Sequence, residues 1–368
     1  MEDIFTSTDE LGPIKVVFIS LPRIGLRAIV AIDNVACGQA IGGVRMAPDV
    51  SADEARRLAR AMTLKNAAAQ LPHGGGKSVI FGDPKMPPPQ KEQLIRAFAG
   101  AIAGLTEYVP GPDMGTDELA MGWIHDEIHR AVGLPRELGG IPLDEIGATG
   151  FGLAAAVEVA CDAISLDLKG ARLAVQGFGA VGKHTARFLS QKGCVLVACS
   201  DSSGTLSSAD GLDVSALISL KNTNQNVTDS PRGDKANTDA IIDVPCDIWI
   251  PAARPDVLNK TNVGRLKARI VAQGANIPCT LEAEANLESR GIMVLPDFVV
   301  NAGGVICAAA EYHGGSESAA FEAIDEKIRK NTSMVIEESR RAGISARAAA
   351  IVLATGRIRS AERSRRWC

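Results

Sequence analysis

The amino-acid sequence predicts an α/β protein of two domains, and three features of its 368 residues support that reading. From Lys169 onward, short apolar stretches alternate with helical ones, the pattern of a largely parallel sheet with helices on both faces. Ahead of that point strands and helices come in mixed order, which fits a mixed sheet. Between the two, Gly133 to Gly152 is rich in Gly and Pro and reads as a hinge. At about 150 residues per domain the length allows two or three, and two is the working count.

Within the first domain, apolar and polar residues alternate over Ile14 to Ser20 and Arg27 to Asp33, predicting half-buried strands. A helix follows, opened by Ser51 with Glu54 three residues on as a capping box, with Ala55, Leu58, Ala59 and Met62 at helical spacing. Lys91 to Ala103 and Thr116 to Val132 read as two more helices, the second closed by Gly133. In the second domain the expected strands are Arg172 to Gln176, Cys194 to Cys199, Asp247 to Ile250, Arg269 to Gln273 and Ile292 to Leu295. After Tyr312 come long helices over Ser316 to Ala342 and Ser345 to about Arg365, broken near Gly343. The domain limits that follow are 1–144, completed by a C-terminal helix at 331–368, and 145–330.

Composition narrows the function classes. With 46% hydrophobic and 22% charged residues the chain can bury sizeable cores, and a net charge of −4 leaves no basic excess for phosphates, so nucleic acid is not an expected partner. No apolar run reaches the roughly 18 residues that a membrane span needs, and the acidic start is unlike a signal peptide, so no membrane partner and a cytoplasmic location are expected. The eight cysteines are scattered without a CxxC pair, so no metal is expected and they read as small buried hydrophobes.

The strongest local signal is GFGAVG, directly after the apolar stretch ARLAVQ and directly before a helix. Gly177 permits a tight turn, Gly179 lets the backbone approach a pyrophosphate, and Gly182 lets helix and strand pack closely, with the helix N-terminus facing the phosphates. Phe178, Ala180 and Val181 complete the turn. Asp201, about 20 residues on, stands where an acid accepts hydrogen bonds from the adenosine ribose, with Ser202 beside it. The second domain is therefore expected to be a Rossmann-type dinucleotide-binding domain, separated from the first by a cleft. No Lys or Arg follows Asp201 within SSGTLSSAD to pair a 2′-phosphate, which favours NAD and leaves NADP open.

Three charged residues stand out in the first domain. Helical spacing from Leu58 and Met62 places Lys65 on or beside the apolar face, where it either grips a carboxylate or snorkels to solvent. Burial there would lower its pKa, towards neutrality and general-base work. Lys77, in HGGGK, places a second ammonium on an expected loop whose glycines let a ligand approach, so that two lysines would suit an acidic substrate; otherwise it is a surface loop charge. Asp113 lies in PGPDMGT ahead of a helix, and either takes part in chemistry or shapes the turn and caps the helix.

Taken with the blocks GGVRM (Gly42 to Met46), MTLKNA (Met62 to Ala67), GGGKSV, PDMGT, GATGFG, SDSSG, GAN (Gly274 to Asn276) and NAGGV (Asn301 to Val305), the chain resembles the glutamate/leucine/phenylalanine/valine dehydrogenase family. The likeness runs from about Gly42 to Glu311 and is nearest to the leucine/phenylalanine branch. It implies that Lys65 binds the substrate α-carboxylate, that Lys77 is the catalytic lysine, and that Asp113 exchanges a proton with the substrate nitrogen. Thr149 and Asn301 would lie near nicotinamide and substrate, and Ala252 and Asn276 would line the dinucleotide. The implied reaction moves hydride from Cα to the nicotinamide. Lys77 then activates water to attack the imine and ammonia departs, in a homo-oligomer, dimer or octamer, whose domains close on the substrate.

Family members acting on glutamate carry a lysine immediately before GGxR and a serine shortly after NAGGV; here those positions are Ile41 and Ala308. A second carboxylate would be buried unpaired there, so Ile41, Ala308 and Val305, with Gly42 and Met62 nearby, are expected to receive an apolar side chain. Glutamate dehydrogenase is the alternative, and Ile277 and Pro278 after GAN look more like that branch. Arg254 has no assigned role. An alternative of another class is a nicotinamide-binding protein without catalysis, which would need neither Lys77 nor Asp113.

Overall fold

The computed structural model describes residues 8–365, so Trp367 and the terminal Cys368 lie outside the described residues. The chain divides into two compact units: one of residues 1–142, 305–320 and 351–368, the other of 143–304 and 321–350. This division gives 305–320 to the first unit and 331–350 to the second, the reverse of the limits drawn from sequence.

The first unit is built on strands β1 (Lys15–Leu21), β2 (Leu26–Asn34), β3 (Ala40–Ala47), β4 (Gly74–Phe81) and β5 (Tyr108–Pro112), in the order β1-β2-β4-β3-β5. The sheet is mixed: β1 and β4 run antiparallel to β2, and β3 runs parallel to β4 and β5. Helix α1 (Ala52–Ala68) covers one face, where Ala55 and Ala59 pack on Ile29, Ala31 and Val79. Helices α2 (Pro88–Ala101) and α3 (Glu118–Ile128) cover the other, where Phe98, Ile95 and Met121 meet Val30, Ile32, Val44 and Ile80. Strand β2 is thus buried on both faces, not half-buried as its alternation suggested, because helices flank the sheet on each side.

Local signals place these helices. Ser51 accepts a hydrogen bond from the Glu54 amide, as its position ahead of α1 predicts. Asp117 caps α3 by accepting from the Ala120 amide, and the helix ends at left-handed His129, short of the expected Gly133. The cap that sequence allowed to Asp113 belongs to Asp117.

The second unit opens with α4 (Leu143–Ile146) and α5 (Ala148–Ala163), and continues through β6 (Arg172–Gln176), α6 (Ala180–Gln191), β7 (Val195–Asp201), β8 (Gly204–Ser207) and α7 (Val214–Asn222). Then come β9 (Asp234–Ala236), β10 (Ile248–Pro251), β11 (Ile270–Ala272), α8 (Leu281–Ser289), β12 (Met293–Leu295) and α9 (Asp297–Val300). Its sheet has the order β12-β11-β10-β6-β7-β8-β9, parallel from β12 to β7, with β8 and β9 adding an antiparallel edge that sequence did not reveal. The chain leaves β6 for β7 on one side and returns to β10 on the other, so β6 is the topological switch point where open α/β sheets bind ligands. Helices α10 (Gly303–Tyr312), α11 (Glu317–Ala342) and α12 (Ala346–Glu362) complete the chain, and left-handed Gly343 breaks the last two as expected.

Among the described residues no helix is long and apolar enough to cross a membrane, and no His, Cys, Asp or Glu cluster could hold a metal ion. Seven described cysteines are free and six of them buried; burial pushes the thiols of Cys161, Cys194, Cys199, Cys246 and Cys307 up to about 12.

Candidate active site

Lys77 is on strand β4 and not on a loop. The three glycines before it are in sheet register, where the lack of side chains lets α1 lie directly on the strand: Asn66 donates to the Gly74 carbonyl at 2.6 Å. Lys65, half-buried, stands beside Asn66 on that turn. The Lys77 side chain is only 7% exposed and its ammonium contacts the carboxylate of Asp113, which follows directly on β5. Strands β4 and β5 both flank β3, and this adjacency joins two residues that are 36 positions apart in sequence.

Arg45, on β3 between them, donates from Nε to Asp113 Oδ2 at 3.2 Å and from a terminal nitrogen to Glu54 at 2.5 Å. Sequence reading passed over it inside GGVRM; its alternation with Gly43 on the same face of β3 was the available signal. Burial lowers the proton affinity of Lys77, partly opposed by Asp113, and Arg45 pushes it the same way as burial. Burial alone would raise Asp113, yet Lys77 and Arg45 hold its carboxyl below the usual carboxylate range. The result is a buried lysine of lowered proton affinity in contact with a carboxylate held ionised.

Gly43 leaves the room for this pair, since a Cβ there would stand 2.7 Å from Asp113 Cβ and 3.1 Å from Lys77 Nζ. Gly43→Ala is expected to displace both charged groups and lower kcat/KM by about 10²-fold, as misplacement by about 1 Å does. Steady-state kinetics beside a thermal melt check it: full activity in a folded variant would mean that the pair's position does not matter.

Ile41 and Ala308, 4% and 7% exposed, share one apolar cluster with Val109 and Val132, and Tyr312 packs against it. Glu311, the neighbour of Tyr312, accepts backbone hydrogen bonds from Gly133, Leu134 and Ile141 and so ties the loop after Val132 to α10. Gly42 is buried, its carbonyl held by Tyr108 Oη at 2.8 Å, and Met62 and Val305 are half-buried. Val305 is not a member of that cluster.

In the second unit, Gly177 turns with φ +90°, and a Cβ on Gly182 would come within 1.9 Å of the Gly177 carbonyl, while one on Gly179 would meet nothing within 4 Å. The turn is therefore tight, closely packed and open at its middle glycine, which fits a pyrophosphate lying against Gly179 to Val181 at the start of α6. Phe178 is fully buried as part of the core beneath. Ala252, past the end of β10, donates its amide to the Gln176 carbonyl at 2.7 Å and lies against Gly177. The Asn301 amide nitrogen donates to Asn276 Oδ1 and to the carbonyls of Gly274 and Ala275, while its own Oδ1 is buried without a partner. Half-buried Thr149, at the start of α5, stands near Gly304. An orphaned amide oxygen at this end of the sheet fits the carboxamide of a nicotinamide.

Asp201 corrects one expectation. Its Oδ2 accepts from Lys221 Nζ at 2.8 Å and from the Val227 amide, and its Oδ1 from Ser203. A cation does stand beside this carboxylate, supplied by α7 from 20 positions away. Ser202 and Arg254 are exposed, and nothing in the structure gives Arg254 a role.

A buried lysine and carboxylate on one sheet, and a glycine turn at the switch point of another, are the parts a dinucleotide-dependent oxidoreductase needs. Residues 13–130 match the model of the Glu/Leu/Phe/Val dehydrogenase dimerisation domain, and residues 139–366 that of Glutamate/Leucine/Phenylalanine/Valine dehydrogenase. The chain belongs to this family and is an amino acid dehydrogenase. It is 36% identical over 362 residues to a glutamate dehydrogenase of Aeropyrum pernix, covering 91% of this chain and 85% of that protein. It is also 36% identical over 310 residues to an NADP-specific glutamate dehydrogenase of Saccharolobus shibatae, covering 81% and 73%. Among solved structures, the Leu-bound form of a hetero-hexameric glutamate dehydrogenase from Thermus thermophilus superposes with a TM-score of 0.86 at 30% identity, covering 96% of this chain and 90% of that one. The L-tryptophan dehydrogenase of Nostoc punctiforme does so with 0.76 at 27%, covering 96% and 98%. The family resemblance holds; the names of the curated relatives favour its glutamate members over the leucine/phenylalanine branch.

Proposed function

We propose that this protein catalyses the reversible oxidative deamination of an L-amino acid with an apolar side chain to the 2-oxo acid and ammonia. The first unit, 1–142 with 305–320 and 351–368, binds the amino acid and mediates assembly; the second binds the dinucleotide. The bound dinucleotide supplies the hydride acceptor for Cα, held by the Gly177–Gly182 turn, Ala252, Asn276, Asn301 and Thr149. Lys65 pairs the α-carboxylate. Asp113, ionised, takes a proton from the substrate amine, and Lys77, its proton affinity lowered by burial, deprotonates the water that attacks the imine carbon. Asp113 returns its proton to the nitrogen of the water adduct and, ionised again, pairs with the Lys77 ammonium, while ammonia departs as the adduct's hydroxyl proton is released to solvent.

One observation carries the side-chain reading: Ile41 and Ala308 lie in a buried hydrophobic cluster, where a second carboxylate would be desolvated at a cost of several kcal/mol unless it found a donor. The second reading, glutamate, is favoured by the names of the curated relatives and is the better supported of the two on that ground. The tryptophan dehydrogenase neighbour supports the apolar reading. For the cofactor we propose NAD, with NADP use made accessible by Lys221, which offsets the charge of Asp201 where a 2′-phosphate would stand. We propose a homo-oligomer, dimer or octamer, with a hexamer added by the assembly of the Thermus protein.

Initial rates of reduced dinucleotide formation, with leucine, tryptophan and glutamate in parallel against NAD and NADP, test the assignment. The apolar substrates should exceed glutamate in kcat/KM. A strong preference for glutamate would replace the first reading by the second, and turnover of none would defeat both.

A further inference from the structure

The dinucleotide end of the second unit rests on a buried ionic link that reaches back to α12. Arg347 donates from Nε to Glu284 Oε2 at 2.8 Å and from one terminal nitrogen to Glu284 Oε1 at 2.7 Å and Asp297 Oδ1 at 2.8 Å. Both carboxylates also hold the ends of one segment. Glu284 Oε1 accepts from the Gln273 side chain at 2.6 Å, directly before Gly274, and Asp297 Oδ2 accepts from the Ile277 amide at 2.8 Å, directly after Asn276. Between these anchors lie the three residues that receive the Asn301 amide, and Asn301 itself donates its backbone N–H to the Asp297 carbonyl at 2.8 Å.

The held segment is strained. Ile277, β-branched, adopts φ +49° with its side chain largely in water, a conformation that persists only where surrounding contacts impose it. Gln273, Glu284 and Asp297 are all buried, and a buried ion pair often adds little stability over apolar residues of similar volume, so stability alone is a weak reason for this link.

We propose that Arg347 is a positioning residue for the dinucleotide: through Glu284 and Asp297 it fixes Gly274 to Asn276, and with them Asn301, in the form that receives the nicotinamide end. The inference rests on the dinucleotide reading of this unit. Charge-paired at its centre and hydrogen-bonded at both ends, the link transmits any displacement of α12 to the segment as a change in its backbone.

Complete removal of Arg347 would leave two buried carboxylates unpaired, so the informative variants are milder. Arg347→Lys keeps the charge but loses the planar fork that spans both carboxylates. Asp297→Asn changes little volume, yet an amide has one acceptor oxygen where the carboxylate uses two, so either the Arg347 or the Ile277 bond is lost. Titration of the full-length protein with NADH, followed by nicotinamide fluorescence, should show Kd weakened by about tenfold in both, the scale of sub-ångström misplacement. The KM for the amino acid at saturating dinucleotide should stay within about twofold. Leu266→Ala, which opens a cavity in the same unit ahead of β11, is the control: it should lower the melting temperature and leave the NADH Kd unchanged. Wild-type Kd in the two link variants, or an equal loss in Leu266→Ala, overturns the proposal. Wild-type protein that binds neither NADH nor NADPH would instead remove the dinucleotide reading, and the link's purpose with it.

Discussion

Lys77→Ala should lose amino-acid oxidation by about 10²- to 10⁴-fold in kcat, the span attributed to a positioned general base. The loss should fall on kcat more than on KM, because Lys77 acts on water and not on the ground-state carboxylate. Asp113→Asn should lose activity by a similar factor for a different reason. It keeps the shape but removes the anion that contacts Lys77 and that, in the proposed mechanism, accepts the amine proton. The pH profile tells the two apart from a folding defect. Lys77 must be neutral to act, so activity rises with pH on a limb that lies below the ordinary lysine value of about 10.4, since burial lowers its proton affinity. Arg45 pushes Lys77 in that same direction, so Arg45→Met should move the limb to higher pH while the protein stays folded. Robust turnover by Lys77→Ala, or a limb that ignores Arg45, would remove Lys77 from the chemistry.

The parts of this molecule that sequence revealed are those whose signal is local. Strand β6, the glycine turn and α6 are contiguous, so 20 residues suffice to read them, and the cap of α1 at Ser51 is equally local. Strands β3, β4 and β5 were not legible, because Gly42–Gly43, Gly74–Gly76 and Pro110–Pro112 are turn formers by composition; the glycines are strand residues here because neighbouring elements approach too closely to admit side chains, and Pro110 and Pro112 lie on the edge strand, paired with Gly42 and Val44. That made Lys77 look like a loop residue. Its pairing with Asp113 depends on the β4-β3-β5 strand order, which no single segment encodes. Lys221 shows the same limit: the stretch after Asp201 has no cation, and α7 brings one from a helix whose lysine reads as an ordinary solvated charge. Arg347, Glu284 and Asp297 are spread over 64 positions and meet only in the fold.

Ile41→Lys combined with Ala308→Ser should invert the preference for side chains. On the proposed reading, an apolar substrate side chain packs against Ile41 and Ala308 and gives up only water, whereas the second carboxylate of glutamate would enter the same apolar surroundings with no donor. Leaving it unpaired costs several kcal/mol, and about 4 kcal/mol corresponds to roughly 10³ in the specificity ratio. A lysine at 41 starts on β3, beside β5 and two residues before Gly43, so its ammonium would answer that carboxylate; a serine at 308 would add a donor from α10. The same ammonium, buried with no partner when leucine is bound, would penalise apolar substrates, so the exchange works through repulsion as well as attraction. Measured as kcat/KM for glutamate over leucine, the double variant should exceed the wild type by about 10²-fold or more. If the wild type already prefers glutamate and the exchange leaves that preference unaltered, the cluster around Ile41 does not face the substrate, and the selectivity must come from charged groups elsewhere in the first unit.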